Sequence, residues 1–323
     1  MRAVLCENED LEGLSVRDVP EPIPGPGQVL VEVGRAAIDF VDTLIIRGRY
    51  QITIPRPFVP GNNLAGVVVG GGPDCARFSV GDRVHGMAFV GAFAERVVVP
   101  ESQLRPTPAG LTSDIACLTG APYRTAYDSI VSKGKLRPGE DLVVLGASGA
   151  VGSAAVLIGK ALGARVIACA STQDKLDFCS QLGADEAVLY TRPDYKDALK
   201  TVCKDGADVV LDMVGGDFSE PALRATGYGG RFVVVGFAAG GPARIPLNLI
   251  LLKGSSVVGY EIADFERREA RQAAQNRDAL EEMLGSAMLT PPITGRFDLD
   301  HAPEAIRLVA GRDKLGATIL DLR

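Results

Sequence analysis

The stretch "VVLGASGAVGSAAVLIGKALGARVIACAST", residues 143–172, places a glycine-rich turn between two apolar runs. Residues 141–145 and 165–170 predict strands, and residues 146–152 predict a turn. Apolar side chains between Val151 and Leu162 recur at helical spacing. A strand, a glycine turn, a helix and a second strand in this order indicate a βαβ unit that holds a dinucleotide pyrophosphate at the helix N-terminus. The alternative is the same unit without a ligand.

Two glycines of this turn have predicted roles. Gly149 lets the backbone approach a pyrophosphate, and Gly152 lets the helix pack closely on the strand. The first glycine of the usual fingerprint is replaced by Ala147, which follows Gly146. The turn therefore fits the fingerprint with one substitution.

The end of the second strand predicts which dinucleotide binds. NAD sites carry an acidic residue there for the ribose hydroxyl, but the first carboxylate after this strand is Asp174. The hydroxyls of Ser171 and Thr172, together with Lys175, suit a 2′-phosphate, although Lys175 is alternatively an ordinary surface lysine. The sequence favours NADPH over NADH.

Length and composition narrow the class of protein. A chain of 323 residues is long enough for two domains. The net charge of -6 argues against a nucleic-acid binder, and no apolar stretch is long enough for a membrane span. The N-terminus has no apolar segment typical of a signal peptide, so we expect a cytoplasmic protein. Two histidines and six scattered cysteines exclude a multi-histidine metal site and favour free thiols.

The chain divides by pattern into three parts. Short valine-rich segments between turn signals predict a β-rich domain over residues 1–118, with one short helix over 39–50 that ends at Gly48. Strands alternate with helices over 119–263, which predicts a doubly wound parallel sheet. Residues 264–323 predict a charged helix, a second helix and a strand, and we assign them to the first domain. The fold class is therefore α/β.

Seven segments, in order and spacing, carry a family resemblance. They are "DFVDTLIIRGRY", "PGNNLAGVV", "FSVGDRVHGM", "GAFAERVVVP", "GASGAVG", "GGRFVVVGFAAG" and "IPLNLILLKGSSVVG". Nearly end to end, the chain resembles the zinc-independent quinone oxidoreductases of the medium-chain dehydrogenase/reductase superfamily. The resemblance implies a GroES-like catalytic domain, a Rossmann domain, a cleft between them for NADPH and substrate, and a homodimer formed through the Rossmann domain.

Zinc-using relatives differ at the positions that bind the metal. They carry a G-H-E segment where this chain reads Gly61, Asn62 and Asn63, a cysteine near the position of Asp39, and a four-cysteine lobe that is missing here. Catalytic zinc needs about three protein ligands. We therefore expect no metal.

The resemblance also assigns cofactor contacts, residue by residue. It implies nicotinamide contacts for the start of the short helix, pyrophosphate contacts for the glycine turn, 2′-phosphate contacts after the second strand, and further contacts along the cleft. The implied residues are Phe40, Thr43, Leu44, Thr125, Gly149, Ala150, Val151, Gly152, Ser171, Thr172, Lys175, Tyr190, Val214, Gly236, Phe237, Ala238, Tyr260 and Lys314.

Two residues are candidates for the chemistry itself. Tyr50 follows the short helix where enoyl-thioester reductases of the superfamily carry a tyrosine implicated in protonation; it is either a proton donor or a packed aromatic. Asp39 stands where related quinone reductases often have asparagine. An ionised Asp39 would repel a developing oxyanion, a desolvated one would act as an acid, and a helix N-cap would point away.

Three functions follow for testing. The first is NADPH-dependent, zinc-free reduction of quinones or related conjugated carbonyl compounds. The second is enoyl-thioester reduction, with Arg47, Arg49 and Arg56 as a basic mouth for carrier phosphates. The third is a structural or sensing role for an NADPH-binding protein with little turnover.

Overall fold

The computed structural model describes residues 1–322. The chain separates into two compact units. The second unit is Pro122–Pro291, and the first unit contains the residues on both sides of it. The strands are β1 (Arg2–Leu5), β2 (Ser15–Asp18), β3 (Gln28–Ile38), β4 (Asn63–Gly71), β5 (Arg83–Met87), β6 (Arg96–Pro100), β7 (Leu104–Pro106), β8 (Asp141–Leu145), β9 (Arg165–Ala170), β10 (Glu186–Leu189), β11 (Ala207–Asp212), β12 (Thr226–Val234), β13 (Ser256–Gly259), β14 (Ile293–Asp298) and β15 (Ala317–Asp321).

The helices alternate with strands mainly in the second unit. They are α1 (Phe40–Ile46), α2 (Ser113–Ala116), α3 (Ala121–Asp128), α4 (Ala150–Ala161), α5 (Gln173–Gln181), α6 (Tyr195–Val202), α7 (Ser219–Ala225), α8 (Asn248–Lys253), α9 (Ile262–Arg268), α10 (Ala270–Gly285) and α11 (Ala302–Ala310). A π-helical turn, Ser129–Lys133, continues α3. No helix within residues 1–322 is long and apolar enough to cross a membrane.

The second unit is built on one parallel sheet of six strands. The strand order is β10-β9-β8-β11-β12-β13, and every neighbouring pair is parallel. The chain order reverses between β8 and β11, which is the switch point where open α/β sheets bind ligands. Strands β8, β9 and β11 are buried almost throughout, as their unbroken apolar runs predict. The doubly wound parallel sheet is confirmed.

The first unit is built on an antiparallel sheet that the C-terminus completes. Strand β15 pairs with β3 in antiparallel register, and β14 pairs with β15 in parallel. The sheet continues from β3 through β4 and β5 to β7. Strand β6 pairs with the N-terminal half of β3, and β15 pairs with its C-terminal half. Its hydrophobic core includes Val31, Leu64, Phe93, Ile306 and Leu320. The chain therefore leaves this unit and returns to it.

The compact units divide the chain differently from the pattern in the sequence. From the sequence, residues 264–291 are expected with the first unit, but they lie in the second. Phe265 of α9 is buried, with its ring centroid 5.6 Å from that of Tyr260. Asn276 of α10 donates to Asp128 at 2.6 Å. These contacts, rather than the charged exposed face, determine where the two helices belong.

The predicted short helix forms, but over fewer residues. Helix α1 covers Phe40–Ile46, with Asp39 at the N-cap and Arg47 at the C-cap. Gly48 follows with φ of +61°, a left-handed conformation that costs glycine little. Tyr50 therefore lies beyond the helix, in the connection that leads to β4.

Candidate functional site

The turn after β8 is fixed by its backbone. Gly146 has φ of +77°, and the N–H groups of Gly146 and Ala147 both donate to the carbonyl of Cys169 in β9, at 3.0 and 3.1 Å. Ala147 is fully buried. Its side chain points into the unit, so alanine replaces the usual glycine here without occupying the ligand side of the turn.

The two predicted glycines serve different purposes. A Cβ at Gly152 would lie 2.2 Å from the carbonyl oxygen of Gly146, so this position needs glycine for close packing. A Cβ at Gly149 would meet only that same oxygen, at 3.7 Å, and the residue has an ordinary φ of -77°. The protein itself leaves space in front of Gly149.

Helix α4 begins at this open position. Gly149 is its N-cap, and the first-turn N–H groups of Ala150, Val151 and Gly152 have no acceptor within the helix. These donors and the positive end of the helix dipole suit a pyrophosphate. The residues present fit a dinucleotide at this point.

The carboxyl end of β9 carries the residues predicted for a 2′-phosphate. Lys175 Nζ donates to Ser171 Oγ at 3.0 Å, which brings the cation to the end of the strand. Thr172 is the N-cap of α5 and is exposed. The ring of Tyr190 follows β10 and packs on Phe218, with centroids 4.7 Å apart. Four of the predicted residues, Ser171, Thr172, Lys175 and Tyr190, therefore lie at the carboxyl ends of the neighbouring strands β9 and β10.

Asp212 organises the turn after β11. Its buried Oδ1 accepts hydrogen bonds from the N–H groups of Val214 and Gly215 at 2.8 and 2.9 Å, and Ser219 Oγ donates to its Oδ2 at 2.5 Å. The N–H of Ala238 donates to the carbonyl of Met213 at 3.1 Å. The turn that contains Val214 is thus joined to the loop that contains Gly236, Phe237 and Ala238.

Sequence reasoning missed Asp212, although a signal was present. An acidic residue at the carboxyl end of an apolar strand, shortly before Gly215 and Gly216, marks a turn that needs an acceptor. Phe237, in contrast, remains 46% exposed.

The side chain of Tyr260 forms a hydrogen bond within the second unit. Its buried hydroxyl donates to Asp128 Oδ2 at 2.9 Å, and Asn276 Nδ2 donates to Asp128 Oδ1 at 2.6 Å. Burial raises the pKa of Asp128, while the bonds from Asn276 and Tyr260 oppose that rise. Thr125 lies on the same helix, α3, and is half-buried. The hydroxyl of Tyr260 therefore supports a buried carboxyl, a role the sequence did not indicate.

In the first unit, Asp39 lies in a buried polar cluster. Asn63 Nδ2 donates to Asp39 Oδ2, and the N–H of Asp39 donates to Asp42 Oδ2 at 2.7 Å. Asn63 Oδ1 accepts from the N–H of Ala121 at 2.9 Å. Asp39 is only 7% exposed. It occupies the N-cap position, yet its carboxyl is held by Asn63, which lies far away in sequence.

Burial controls the charge of this cluster. Desolvation raises the pKa of Asp39 to about 6, against the lowering effects of the Lys314 charge and the Asn63 bond. Desolvation and the charge of Asp39 hold the pKa of Asp42 well above its usual value. Asp39 therefore occupies the N-cap position of α1 and also has the raised pKa of a desolvated carboxyl group.

Lys314 joins the start of α1 from the far end of the sequence. Its Nζ lies 4.9 Å from the centroid of the Phe40 ring, a cation–π distance. Thr43 is fully buried, and its hydroxyl donates to the carbonyl of Phe40 at 2.7 Å. Leu44 is half-buried. The hydroxyl of Thr43 is thus used inside the helix.

Tyr50 and Arg56, two further candidates, make structural contacts in the first unit. Tyr50 is half-buried and packs against the core of the first unit. Arg56 Nη2 donates to the carbonyl of Ile46 at 2.8 Å, and its guanidinium pairs with Glu9 at 3.6 Å. Arg56 therefore has a structural role, which weakens its assignment to a basic mouth.

The donor set near Asp39 does not fit zinc. Its neighbours supply amide and carboxyl groups, and Asp39 and Asn63 already bond to each other. Within residues 1–322, no group of three or more histidine, cysteine or acidic side chains could hold a metal ion. Catalytic zinc sites combine about three such ligands.

Two family models match the chain, one in each compact unit. "Alcohol dehydrogenase GroES-like domain" matches residues 25–109, and "Zinc-binding dehydrogenase" matches residues 150–277. The second description names a metal whose ligands the described residues do not assemble.

Relatives and solved structures match over nearly the whole chain. Quinone oxidoreductase-like protein 2 of Rattus norvegicus is 33% identical over 100% of this chain and 92% of its own. The quinone oxidoreductase of Thermus thermophilus, solved alone and with NADPH, is 31% identical, with a TM-score of 0.86 and full coverage of both chains. An NAD-dependent alcohol dehydrogenase of known structure is 30% identical, with a TM-score of 0.89 and the same coverage. The chain therefore belongs to the quinone oxidoreductase family of the medium-chain dehydrogenase/reductase superfamily and is an NAD(P)H-dependent oxidoreductase.

Proposed function

We propose that this enzyme uses NADPH to reduce quinones or related conjugated carbonyl compounds, and that it does so without zinc. The observation that carries the choice of cofactor is the bond between Lys175 Nζ and Ser171 Oγ at the end of β9. The pair presents a cation and a hydroxyl where an NAD site would present a carboxylate. The quinone oxidoreductase of Thermus thermophilus, solved in complex with NADPH, supports the proposal.

The dinucleotide would be held by the second unit. The open face of Gly149 and the first-turn N–H groups of α4 would take the pyrophosphate, and Ser171 with Lys175 would take the 2′-phosphate. When bound, the nicotinamide supplies the hydride. The turn that Asp212 fixes would keep Val214 and the 236–238 loop in place beside it.

The first unit would supply the proton and orient the acceptor. Tyr50 and Asp39 are the two candidates for the acid, and a positioned acid typically contributes about 10²- to 10⁴-fold to the rate. A metal is not needed as a Lewis acid if a hydrogen-bond donor stabilises the charge that develops on the acceptor oxygen. Phe40, Leu44 and Lys314 would line the position of the nicotinamide.

We propose further that the enzyme is a homodimer formed through its second unit. Four large side chains are exposed there: Tyr228 by 89%, Leu247 by 77%, Leu251 by 81% and Leu252 by 73%. Strand β13 is the last strand in the sheet order, so one of its edges has no strand partner within residues 1–322. A second copy around a twofold axis would cover both the edge and the leucines.

The cofactor choice is tested by binding. We expect the wild-type protein to bind NADPH at least about tenfold more tightly than NADH, because a buried or partly buried ion pair with a phosphate is worth at least that much. Lys175→Ala should narrow the gap, whereas Lys200→Ala, an exposed lysine on α6, should leave it unchanged. Equal wild-type affinities for the two dinucleotides, by fluorescence titration, would refute the proposal.

A further inference from the structure

The reduction proposed above leaves a proton to be delivered, and this inference rests on that function. We infer that Asn63 is a positioning residue that holds Asp39 Oδ2 as a hydrogen-bond acceptor and leaves the proton of the neutral acid on Oδ1, so that Asp39 acts as the acid. Reduction of a conjugated carbonyl adds a hydride to carbon and sends an electron pair to oxygen. The O–H bond of Asp39 then breaks, a new O–H bond forms on the acceptor, and water returns the proton to the carboxylate.

The orientation of Asn63 is dictated by the backbone. The N–H of Ala121 donates to its side chain at 2.9 Å, and only an amide oxygen can accept that bond. The amide nitrogen must therefore be the atom that faces Asp39. Gly120 makes room for this arrangement, because a Cβ there would lie 1.7 Å from Asn63 Oδ1.

The amide nitrogen then determines which Asp39 oxygen is protonated. Nδ2 can only donate, so Asp39 Oδ2 accepts its bond in every protonation state. The proton of the neutral acid is placed on Oδ1, since the carbonyl oxygen of a carboxylic acid is the better acceptor. An asparagine at position 63 thus determines which oxygen of Asp39 carries the proton.

The surroundings keep this acid near the neutral form. Asp39 is buried beside Asp42, whose Oδ1 has no hydrogen-bond partner among the described residues. Of the charged or titratable groups that face Asp39, Lys314 favours the ionised form, while Asp42 and the buried Cys117 do not stabilise it. Burial therefore competes with one cation, and the pKa of Asp39 rises to about 6. Because solvent must reprotonate the group, turnover should decline as pH rises through that value.

The isosteric variant Asn63→Asp removes the donor. It keeps an oxygen for the N–H of Ala121 but places an acceptor, and a like charge, against Asp39 Oδ2. Loss of the donor and the new charge both raise the pKa of Asp39, so the alkaline decline of kcat should move up by roughly one pH unit or more. Asp39→Asn should remove that decline altogether. Circular dichroism and thermal melting establish that each variant is folded.

Two readouts on the full-length enzyme separate this inference from the proposed function. The first is the pH profile of kcat with NADPH and an enone, for wild type and both variants. The second needs no turnover and measures the pKa of Asp39 by infrared titration of the protonated carboxyl stretch. That band is assigned to Asp39 because it is lost in Asp39→Asn. We expect the infrared pKa near 6 in wild type and a rise in Asn63→Asp, with the kinetic profile following. An infrared pKa that Asn63→Asp leaves unchanged, or a kinetic decline that survives in Asp39→Asn, would overturn the inference. Absence of turnover with every acceptor, despite the expected infrared shift, would instead refute the proposed function.

Discussion

Two glycines three residues apart, at the start of one helix, illustrate the difference between folding and binding. Gly152 is surrounded by the backbone of the unit, whereas Gly149 faces open space. The sequence predicts glycine at both positions from the same fingerprint. Only the packing shows that Gly152 is required for folding and that Gly149 leaves room for a ligand.

Substitution of Gly152 by alanine should therefore reduce stability, whereas substitution of Gly149 should mainly weaken NADPH binding. We expect Gly152→Ala to destabilise the enzyme by about 2 kcal/mol or more, because its Cβ would overlap the carbonyl of Gly146. Gly149→Ala should cost about 1 kcal/mol or less, as a helix N-cap change, but weaken NADPH binding about tenfold or more, since the methyl group would occupy the approach of the pyrophosphate. Denaturant unfolding and NADPH titration of both variants provide the check. Tight NADPH binding by Gly149→Ala would place the pyrophosphate elsewhere.

Asp39 makes the stability of the enzyme depend on pH. Its pKa is about 6 in the folded enzyme and about 3.9 in an unfolded chain. Because the folded value is raised, the folded protein binds this proton more tightly. The contribution is fully present below about pH 4 and is lost as pH rises through about 6.

Asp39→Asn removes this titration, so the variant should gain stability relative to wild type as pH rises from about 4 to about 8. The rise of the Asp39 pKa from about 3.9 to about 6 corresponds to a relative gain of up to about 3 kcal/mol in the free energy of unfolding. Urea unfolding of the two proteins at pH values of about 4.5, 6 and 8 measures it. Stability curves that run parallel over this range would show that Asp39 does not titrate as the structure implies.

The residue scale also shows where prediction from sequence ends. The turn at Gly146, the helix cap at Asp39 and the Ser171–Lys175 pair are local, so spacing alone indicates them. The bond from Asn63 to Asp39 and the approach of Lys314 to Phe40 join distant parts of the chain. Such contacts depend on how the sheet and the loops around it assemble, and a local sequence pattern does not predict that assembly.

At the scale of elements, α10 is tied to α3 through a buried carboxyl. Asp128 is fully buried at the end of α3 and accepts from Tyr260 and Asn276. Asn276 also donates to Ser132 at 2.8 Å, in the π-helical turn that follows α3. The apolar positions of α9 and α10 are visible in the sequence, but the core that they face is not. Residues 264–291 are therefore hard to place from pattern alone.

Removal of the Asn276 amide should loosen this connection. We expect Asn276→Ala to destabilise the enzyme by about 1 to 3 kcal/mol, because it leaves Asp128 buried with one donor fewer. Gln275→Ala, at the exposed neighbouring position on the same helix, should cost less than about 0.5 kcal/mol. Chemical denaturation of both variants compares them. Equal effects would mean that the network carries no specific stabilisation.

At the scale of the whole molecule, the strand order and the pairing of β15 with β3 determine the architecture. The parallel sheet follows from alternating apolar and amphipathic segments, which the sequence displays throughout 141–259. The exposed leucines of α8 carry the proposal of a dimer, and their exposure could be read only from the folded unit.

A charge on that apolar surface should separate the subunits. We expect Leu251→Lys to shift the enzyme from dimer to monomer in sedimentation velocity, since a desolvated lysine without a partner is costly in an interface. Leu308→Lys, at a 40% exposed leucine of the first unit, is the matched control and should remain dimeric. A wild-type protein that sediments as a monomer at micromolar concentration would exclude the proposed dimer.

The central claim is that this member of the family transfers hydride from NADPH to a conjugated acceptor. Stopped-flow measurement of NADPH oxidation by the purified enzyme tests it, with a 1,4-quinone, an enone and crotonyl thioester as separate acceptors and NADH in parallel. We predict oxidation of NADPH by the quinone or the enone, slower by about tenfold or more with NADH at subsaturating concentration, and unaffected by removal of metal with a chelator. Tight binding of NADPH without oxidation by any of the three acceptors would contradict the account.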